Sequence, residues 1–414
     1  MLKCIAVSDL RIGMFIHEFC CSWMDHPFWK TRFLLNNEKD LQRIRACGMQ
    51  TIWVDVSKGL DIAQGRPSVS PEQVNAEVDA ELLASVSTVP PHQHQWGQLS
   101  DEVQNAATLC ARSKDAVVSM FADIRMGKAL DMQRLNQQVN QITDSVMMNP
   151  DAFIALARLK RIDNYTYMHS VAVCALMIAL ARQLGLDEDS VREAGLGGLF
   201  HDVGKVTLPR KLLSKPGKLT TEEFNRVRGH PVSGAQLLGR LRQVSPQVLD
   251  VTLHHHERLD GSGYPDGLVG SQISLFARMA AICDVYDALT SDRAYKPGWD
   301  PALVLRKMVA WKGQFDIRLL HAFVKAIGIY PVGSLVRLKS GLIGVVVAQS
   351  AASLLQPLVK VFFCTTTRSV VAHRIIDLSE RQIDETIVGL ECAQKWGFTN
   401  LDRLWLDNLT QGQG

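Results

Sequence analysis

His201-Asp202-Val203-Gly204-Lys205 opens the stretch around which the rest of the chain is arranged, and that stretch runs on through His230, His255-His256-Glu257 and Asp260-Gly261-Ser262-Gly263-Tyr264-Pro265 to Asp284. An adjacent His-Asp pair offers one neutral nitrogen donor and one carboxylate able to bridge, which suits a borderline divalent metal such as iron, manganese or zinc. Two cations can share that Asp. Ions roughly 3.5–4 Å apart promote phosphodiester cleavage, because one face activates a water while both absorb charge from the phosphoryl oxygens. The remaining histidines are then available to complete two ligand shells.

Composition narrows the class. The 414 residues allow two or three domains, and 47% hydrophobic residues supply their cores. A net charge of +3 excludes the broad basic surface that polymeric nucleic acid requires, and leaves room for a small anionic ligand. The nine cysteines include no Cys-x-x-Cys pair, so they read as free thiols in a reducing cytoplasm rather than as a zinc ribbon or redox motif. The amino terminus shows no secretory signal pattern, and the most apolar run, residues 171–181, is shorter than the ~20 residues a bilayer needs. A soluble cytoplasmic protein without a membrane span is expected.

Residues 1–65 predict a small α/β domain, with strands at 2–7, 14–19, 33–35 and 51–56 and a helix over 37–46 ended by Gly48. Residues 66–98, with Pro67, Pro71, Pro90-Pro91, His92 and His94, have linker composition. Residues 99–149 predict a helical hairpin, from apolar positions such as Val117, Phe121 and Ile124, then Leu135, Val139, Ile142 and Val146. Residues 150–330 read as almost all helical, with helices near 151–162, 166–184, 188–200, 220–238, 246–257, 273–290 and 301–310. Residues 331–414 form a β-containing extension, with strands near 335–338, 343–348 and 358–363.

Several side chains stand out. His169 opens an apolar helix, where a lone histidine is ordinarily a satisfied core residue. Asp284 and Asp287 lie three residues apart in another apolar helix, where a buried carboxylate is costly without a cation, and spacing leaves both open as ligands. Three histidines are consecutive at 254–256. Lys205, four residues after His201, is expected on the same helical face, ready to contact a phosphate oxygen or protonate a leaving group. Gly261 and Gly263 are expected to permit positive φ in a turn that approaches a ligand.

The ordered blocks Tyr165-Thr166-Tyr167-Met168-His169-Ser170, His201 through Lys205, Lys215-Pro216-Gly217, His230-Pro231, His255-His256-Glu257 running into Gly263-Tyr264-Pro265, and Asp284-Val285-Tyr286-Asp287-Ala288-Leu289 resemble the HD-GYP family. This is a branch of the HD phosphohydrolases that hydrolyses cyclic di-GMP. The resemblance implies a multidomain chain with an all-α HD-type catalytic core, a small N-terminal α/β domain of the uncharacterised kind that often precedes HD-GYP domains, and a small C-terminal β-rich extension. It implies one metal on His169, His201, Asp202 and Asp284 and another on His230, His255 and His256, with Asp202 shared. Asp287 and His254 are left outside the shells.

The resemblance further implies attack by a bridging hydroxide that opens cyclic di-GMP to pGpG and then to GMP, with Asp202 and Lys205 catalytic. Lys205, Gly263, Tyr264, Pro265, Arg293 and Lys296 would contact substrate. Iron is the leading metal, manganese the next, with zinc, nickel and cobalt compatible. Some members carry a Glu four residues before the first histidine, where it helps hold a third metal; here that position is Tyr165, so two metals are expected. Cyclic di-GMP is the implied ligand, and diguanylate cyclases, other signalling proteins or a second copy of the chain are candidate partners. The alternative is a sensor or scaffold that binds cyclic di-GMP and acts through a partner.

Overall fold

The computed structural model describes residues 1–21, 28, 32–63, 65–86, 99–158, 165–213, 215, 219–241, 244–292, 298–350, 353–399, 401 and 404, without the side chains of 86, 99–104, 158, 165 and 210. Along the chain the strands and helices are β1 (Leu2–Ala6), β2 (Phe15–Phe19), β3 (Phe33–Leu34), α1 (Glu38–Ala46), β4 (Thr51–Asp55), α2 (Pro71–Val86), α3 (Leu99–Arg125), α4 (Met132–Met148), α5 (Pro150–Arg158), α6 (Tyr165–Gln183) and α7 (Glu188–Phe200). They continue as α8 (Arg210–Leu213), α9 (Thr221–Arg228), α10 (His230–Gly239), α11 (Pro246–His254), α12 (Leu275–Thr290), α13 (Pro301–Ala310), α14 (Ile317–Ile327), β5 (Leu335–Leu338), β6 (Leu342–Ala348), β7 (Leu358–Cys364), β8 (Ser369–Asp377), β9 (Ile387–Leu390) and α15 (Ala393–Trp396).

Two compact units result, one of Met1–Leu83, His201–Val285 and Arg306–Ile317, the other of Ala84–Phe200, Tyr286–Leu305 and Arg318–Gly414. In the first, an antiparallel sheet of order β1-β4-β2-β3 closes on α1. Ile16, Ile52 and Val54 from the sheet and Leu41 and Ile44 from α1 share its core. Asn37 starts α1 by accepting from the Asp40 amide at 2.8 Å. In the second unit the run 171–181 of α6 is buried throughout, and an antiparallel sheet of order β8-β7-β6-β5-β9 follows the helices. One face of that sheet packs Ile343 and Val345 against Ala152 and Ala155 of α5.

Three expectations need correction. The stretch read as linker carries α2, because Ser70 and Gln73 cap each other reciprocally (Ser70 N to Gln73 Oε1 2.9 Å, Gln73 N to Ser70 Oγ 3.3 Å) and Pro71 suits a first helical turn. The single helix expected over 220–238 is two: Gly229 ends α9, and Pro231 stands in the first turn of α10, where its missing N–H does no harm. Finally, α14 was not foreseen, although Leu319, Leu320, Phe323, Val324 and Ile327 form one buried stripe. Pro90-Pro91, His92 and His94 lie outside the described residues.

Candidate metal centre

Helix α7 ends at Phe200, so His201 and Asp202 occupy a turn that leads into a 3-10 segment, Val203–Thr207. This segment packs on α10 because Gly204 has no side chain: a Cβ there would lie 1.8 Å from the His230 carbonyl oxygen and 2.6 Å from the Gly234 amide nitrogen. The contact brings the start of α10 beside the His-Asp turn. His255 and His256 arrive from the end of α11, and Asp284 from α12.

All of these groups are at most 2% exposed. The Asp202 carboxylate is central to them: Oδ1 lies 3.1 Å from His230 Nε2 and 4.0 Å from His255 Nε2, while Oδ2 lies 3.5 Å from His201 Nε2. Asp284 reaches His201 Nε2 at 3.9 Å through Oδ1 and His256 Nδ1 at 3.7 Å through Oδ2. The nitrogens offered by His230, His255 and His256 all fall within 4.8 Å of one another.

Backbone carbonyls fix two of the imidazoles. His230 Nδ1 is 2.8 Å from Val227 O, and His255 Nδ1 is 3.1 Å from both Val251 O and Thr252 O, so each Nδ1 carries the proton and donates it. Their Nε2 lone pairs then face each other at 3.3 Å. Such an approach is repulsive unless a cation takes both. His256 is also 1% exposed, with neither ring nitrogen hydrogen-bonded among the described residues; leaving a buried polar atom unsatisfied costs about 1–3 kcal/mol. The donor set therefore fits a divalent metal.

Electrostatics agree. Burial holds the His230 imidazole below its ordinary pKa, and holds His255 and His256 well below it, the last two being depressed further by neighbouring imidazoles. Neutral imidazole is the ligating form. Burial alone would push the Asp202 carboxyl up, but the Lys205 ammonium, and after it His201, hold it well below the usual range. That Lys205–Asp202 pairing revises the expected placement of the lysine. In a 3-10 segment residues three apart stack, so Lys205 Nζ sits on Asp202 Oδ2 rather than on the face of His201.

His169 is buried on α6, with Nδ1 2.5 Å from Asp287 Oδ2. His254 is drawn away from the cluster, its ring bonding Asp250 at 2.7 Å and Asp266 at 3.1 Å. The loop at 260–265 is built as anticipated at Gly261, which has φ of +77°, but not at Gly263. There the need is for proximity, since a Cβ would fall 2.4 Å from Glu257 Cα and Arg258 N. Arg293 and Lys296 lie outside the described residues.

Two roles were not read from the sequence. Buried Glu257 accepts from three successive amides, Asp266 at 2.8 Å and Gly267 at 3.1 Å on Oε1 and Leu268 at 3.0 Å on Oε2, and so pins the loop just after Tyr264-Pro265. The Tyr264 ring stacks on His256 at 4.7 Å, and the Arg228 guanidinium lies over the Tyr264 ring at 4.3 Å. The position of Glu257 directly after the histidine pair was the only signal for the first; nothing in the sequence marked the second.

Residues 2–135 match the domain of unknown function DUF3391, and residues 140–319 match the HD domain. A cyclic di-GMP phosphodiesterase of Pseudomonas aeruginosa is 52% identical over 98% of this chain and 96% of its own length. The cyclic di-GMP phosphodiesterase response regulator RpfG of Xanthomonas campestris is 45% identical over 35% of this chain and 39% of its own. The 3'3'-cGAMP-specific phosphodiesterase 1 of Vibrio cholerae is 42% identical over 32% of this chain and 30% of its own. Among the described residues no helix is long and apolar enough to cross a membrane. With its His-Asp turn and histidine pair gathered about one buried carboxylate, the Tyr264 ring stacked on that pair, and a relative that matches it nearly end to end, the chain belongs to the HD-GYP family of HD-domain phosphohydrolases.

Proposed function

We propose that the chain is a metal-dependent phosphodiesterase that opens cyclic di-GMP to pGpG and carries pGpG on to GMP. The observation that carries this reading is the convergence of His230 and His255 Nε2 on Asp202 Oδ1 in a buried site, with both Nδ1 atoms committed to carbonyls. Identity of 52% with the Pseudomonas phosphodiesterase along almost the whole chain supports cyclic di-GMP as substrate.

In this reading His169, His201, Asp202 and Asp284 hold one divalent ion and His230, His255 and His256 the other, with Asp202 shared. Asp287 on His169 Nδ1 leaves Nε2 as the ligating atom of that ring. Bound divalent cations supply Lewis acidity and a nucleophilic water at neutral pH. The protein's own groups do the rest. Lys205, held on Asp202, offers a proton and positive charge to the departing ribose oxygen. The Glu257-pinned loop sets Gly263, Tyr264 and Pro265 against the substrate, and Arg293 and Lys296 meet the second phosphate or a guanine. Iron is the preferred metal and manganese the next, since a mixed imidazole and carboxylate shell accepts both. The free cysteines of the chain fit work in a reducing cytoplasm.

The test is metal analysis joined to turnover of cyclic di-GMP under reducing, anaerobic conditions. The unaltered chain should carry about two metal ions and release pGpG; Asp202→Ala should lose both. An iron- or manganese-loaded chain that binds cyclic di-GMP without cleaving it would overturn the enzyme reading in favour of a sensor.

A further inference from the structure

The Tyr264 ring also lines a cavity outside the metal centre. It encloses about 170 Å³ and is lined by Arg43 and Cys47 from the α1 end of the N-terminal domain, by Phe224 and Arg228 of α9, and by Ser262 and Tyr264 of the loop. Among the described residues none that lines it is acidic. Asp40 reaches Arg43 at 3.7 Å from the same helix. Arg43 also donates to Thr221 Oγ1 at 2.6 Å, which seats α1 against α9. The Arg228 guanidinium carbon lies 4.3 Å from the Tyr264 centroid and 5.9 Å from that of Phe224.

We infer that this cavity receives one guanine of the dinucleotide substrate, and that Arg43, from the domain of unknown function, is a specificity-determining residue. The inference rests on the proposed activity. The cavity is smaller than the ~300 Å³ at which whole small-molecule sites begin, so it takes a part of the ligand rather than all of it. Arginine pairs its fork of donors with O6 and N7 of guanine, whereas adenine offers an amino donor at the corresponding position. The Phe224 ring in the lining is an aromatic surface on which a purine can stack. Through the Tyr264–His256 stack the base pocket adjoins the metal centre directly.

The experiment compares steady-state kinetics of the metal-loaded full chain on cyclic di-GMP, cyclic di-AMP and bis(p-nitrophenyl) phosphate, the last of which needs only the metal centre. Arg43→Ala should raise KM for cyclic di-GMP about ten-fold, leave kcat within about two-fold, and shrink the preference over cyclic di-AMP by about the same ten-fold. Arg43→Lys, which lacks the fork, should restore little of it. Bis(p-nitrophenyl) phosphate should be cleaved as before. Glu18→Gln, which disturbs the separate contact of β2 with Lys307, should leave KM for cyclic di-GMP unchanged. An unchanged KM in Arg43→Ala, or an equal rise in Glu18→Gln, overturns the guanine pocket while the proposed activity stands. Cleavage of bis(p-nitrophenyl) phosphate without turnover of cyclic di-GMP by the unaltered chain overturns both.

Discussion

His169 Nδ1 and Asp287 Oδ2 lie 2.5 Å apart, with both side chains almost wholly buried. A carboxylate on the far nitrogen of a ligating imidazole fixes the tautomer and raises ligand basicity, and losing it typically weakens metal binding by about 10–100-fold. Asp287→Asn should therefore lower metal affinity by about that factor, while excess metal restores much of the rate. Competition against a chelator measures the affinity; equal affinity in the variant would mean that Asp287 only fills space.

Much of this was legible in the sequence. The His-Asp turn, the histidine pair and Asp284 were marked by residue type and by the family resemblance, and the structure brings His201, Asp202, His230, His255, His256 and Asp284 about one carboxylate. Spacing alone left Asp284 and Asp287 equivalent, because residues three apart share a helical face; the family resemblance set Asp287 outside the shells, and the fold puts Asp284 near His201 and Asp287 on His169. Lys205 was placed by α-helical periodicity, and the 3-10 geometry beyond the turn moved it onto Asp202. Contacts distant in sequence, such as Arg43 with Thr221, leave no periodic trace.

Gly204 is a steric requirement rather than a conformational one. Its missing Cβ makes room for the His230 carbonyl oxygen, 1.8 Å from where that atom would stand. Backbone on both sides prevents easy relief, so Gly204→Ala should cost about 3 kcal/mol or more and lower Tm by on the order of 10 °C. Calorimetry of the metal-free chain reads this without interference from binding. A Tm within about 2 °C of the parent would show that α10 can slide away at little cost.

Glu257 accepts amide hydrogens from three successive residues of a glycine-rich loop. Hydrogen bonds to a charged group contribute about 1.5–3 kcal/mol each. In Glu257→Gln one oxygen becomes a donor facing amide donors, so the segment 266–268 should exchange its amide hydrogens at least ten-fold faster, roughly 1.4 kcal/mol of lost protection. KM for the dinucleotide should rise with it. Unaltered exchange at those three amides would sink the clamp.

Metal removal tests the centre through stability. Without a cation the Nε2 atoms of His230 and His255 oppose each other at 3.3 Å, and among the described residues His256 has no hydrogen-bond partner on either nitrogen. A ligand present at about 1,000 times its Kd stabilises the folded state by about 4 kcal/mol, so a chelator should lower Tm by several degrees and added manganese should restore it. His256→Gln should abolish most of that shift. Burial holds all three imidazoles below the ordinary 6.5, so protons compete with the metal only below that pH. The manganese-induced rise in Tm should stay nearly constant from about pH 8 to 6.5 and fade in more acid solution. A rise that fades well above 6.5, or survives intact in His256→Gln, would place the bound metal on other residues.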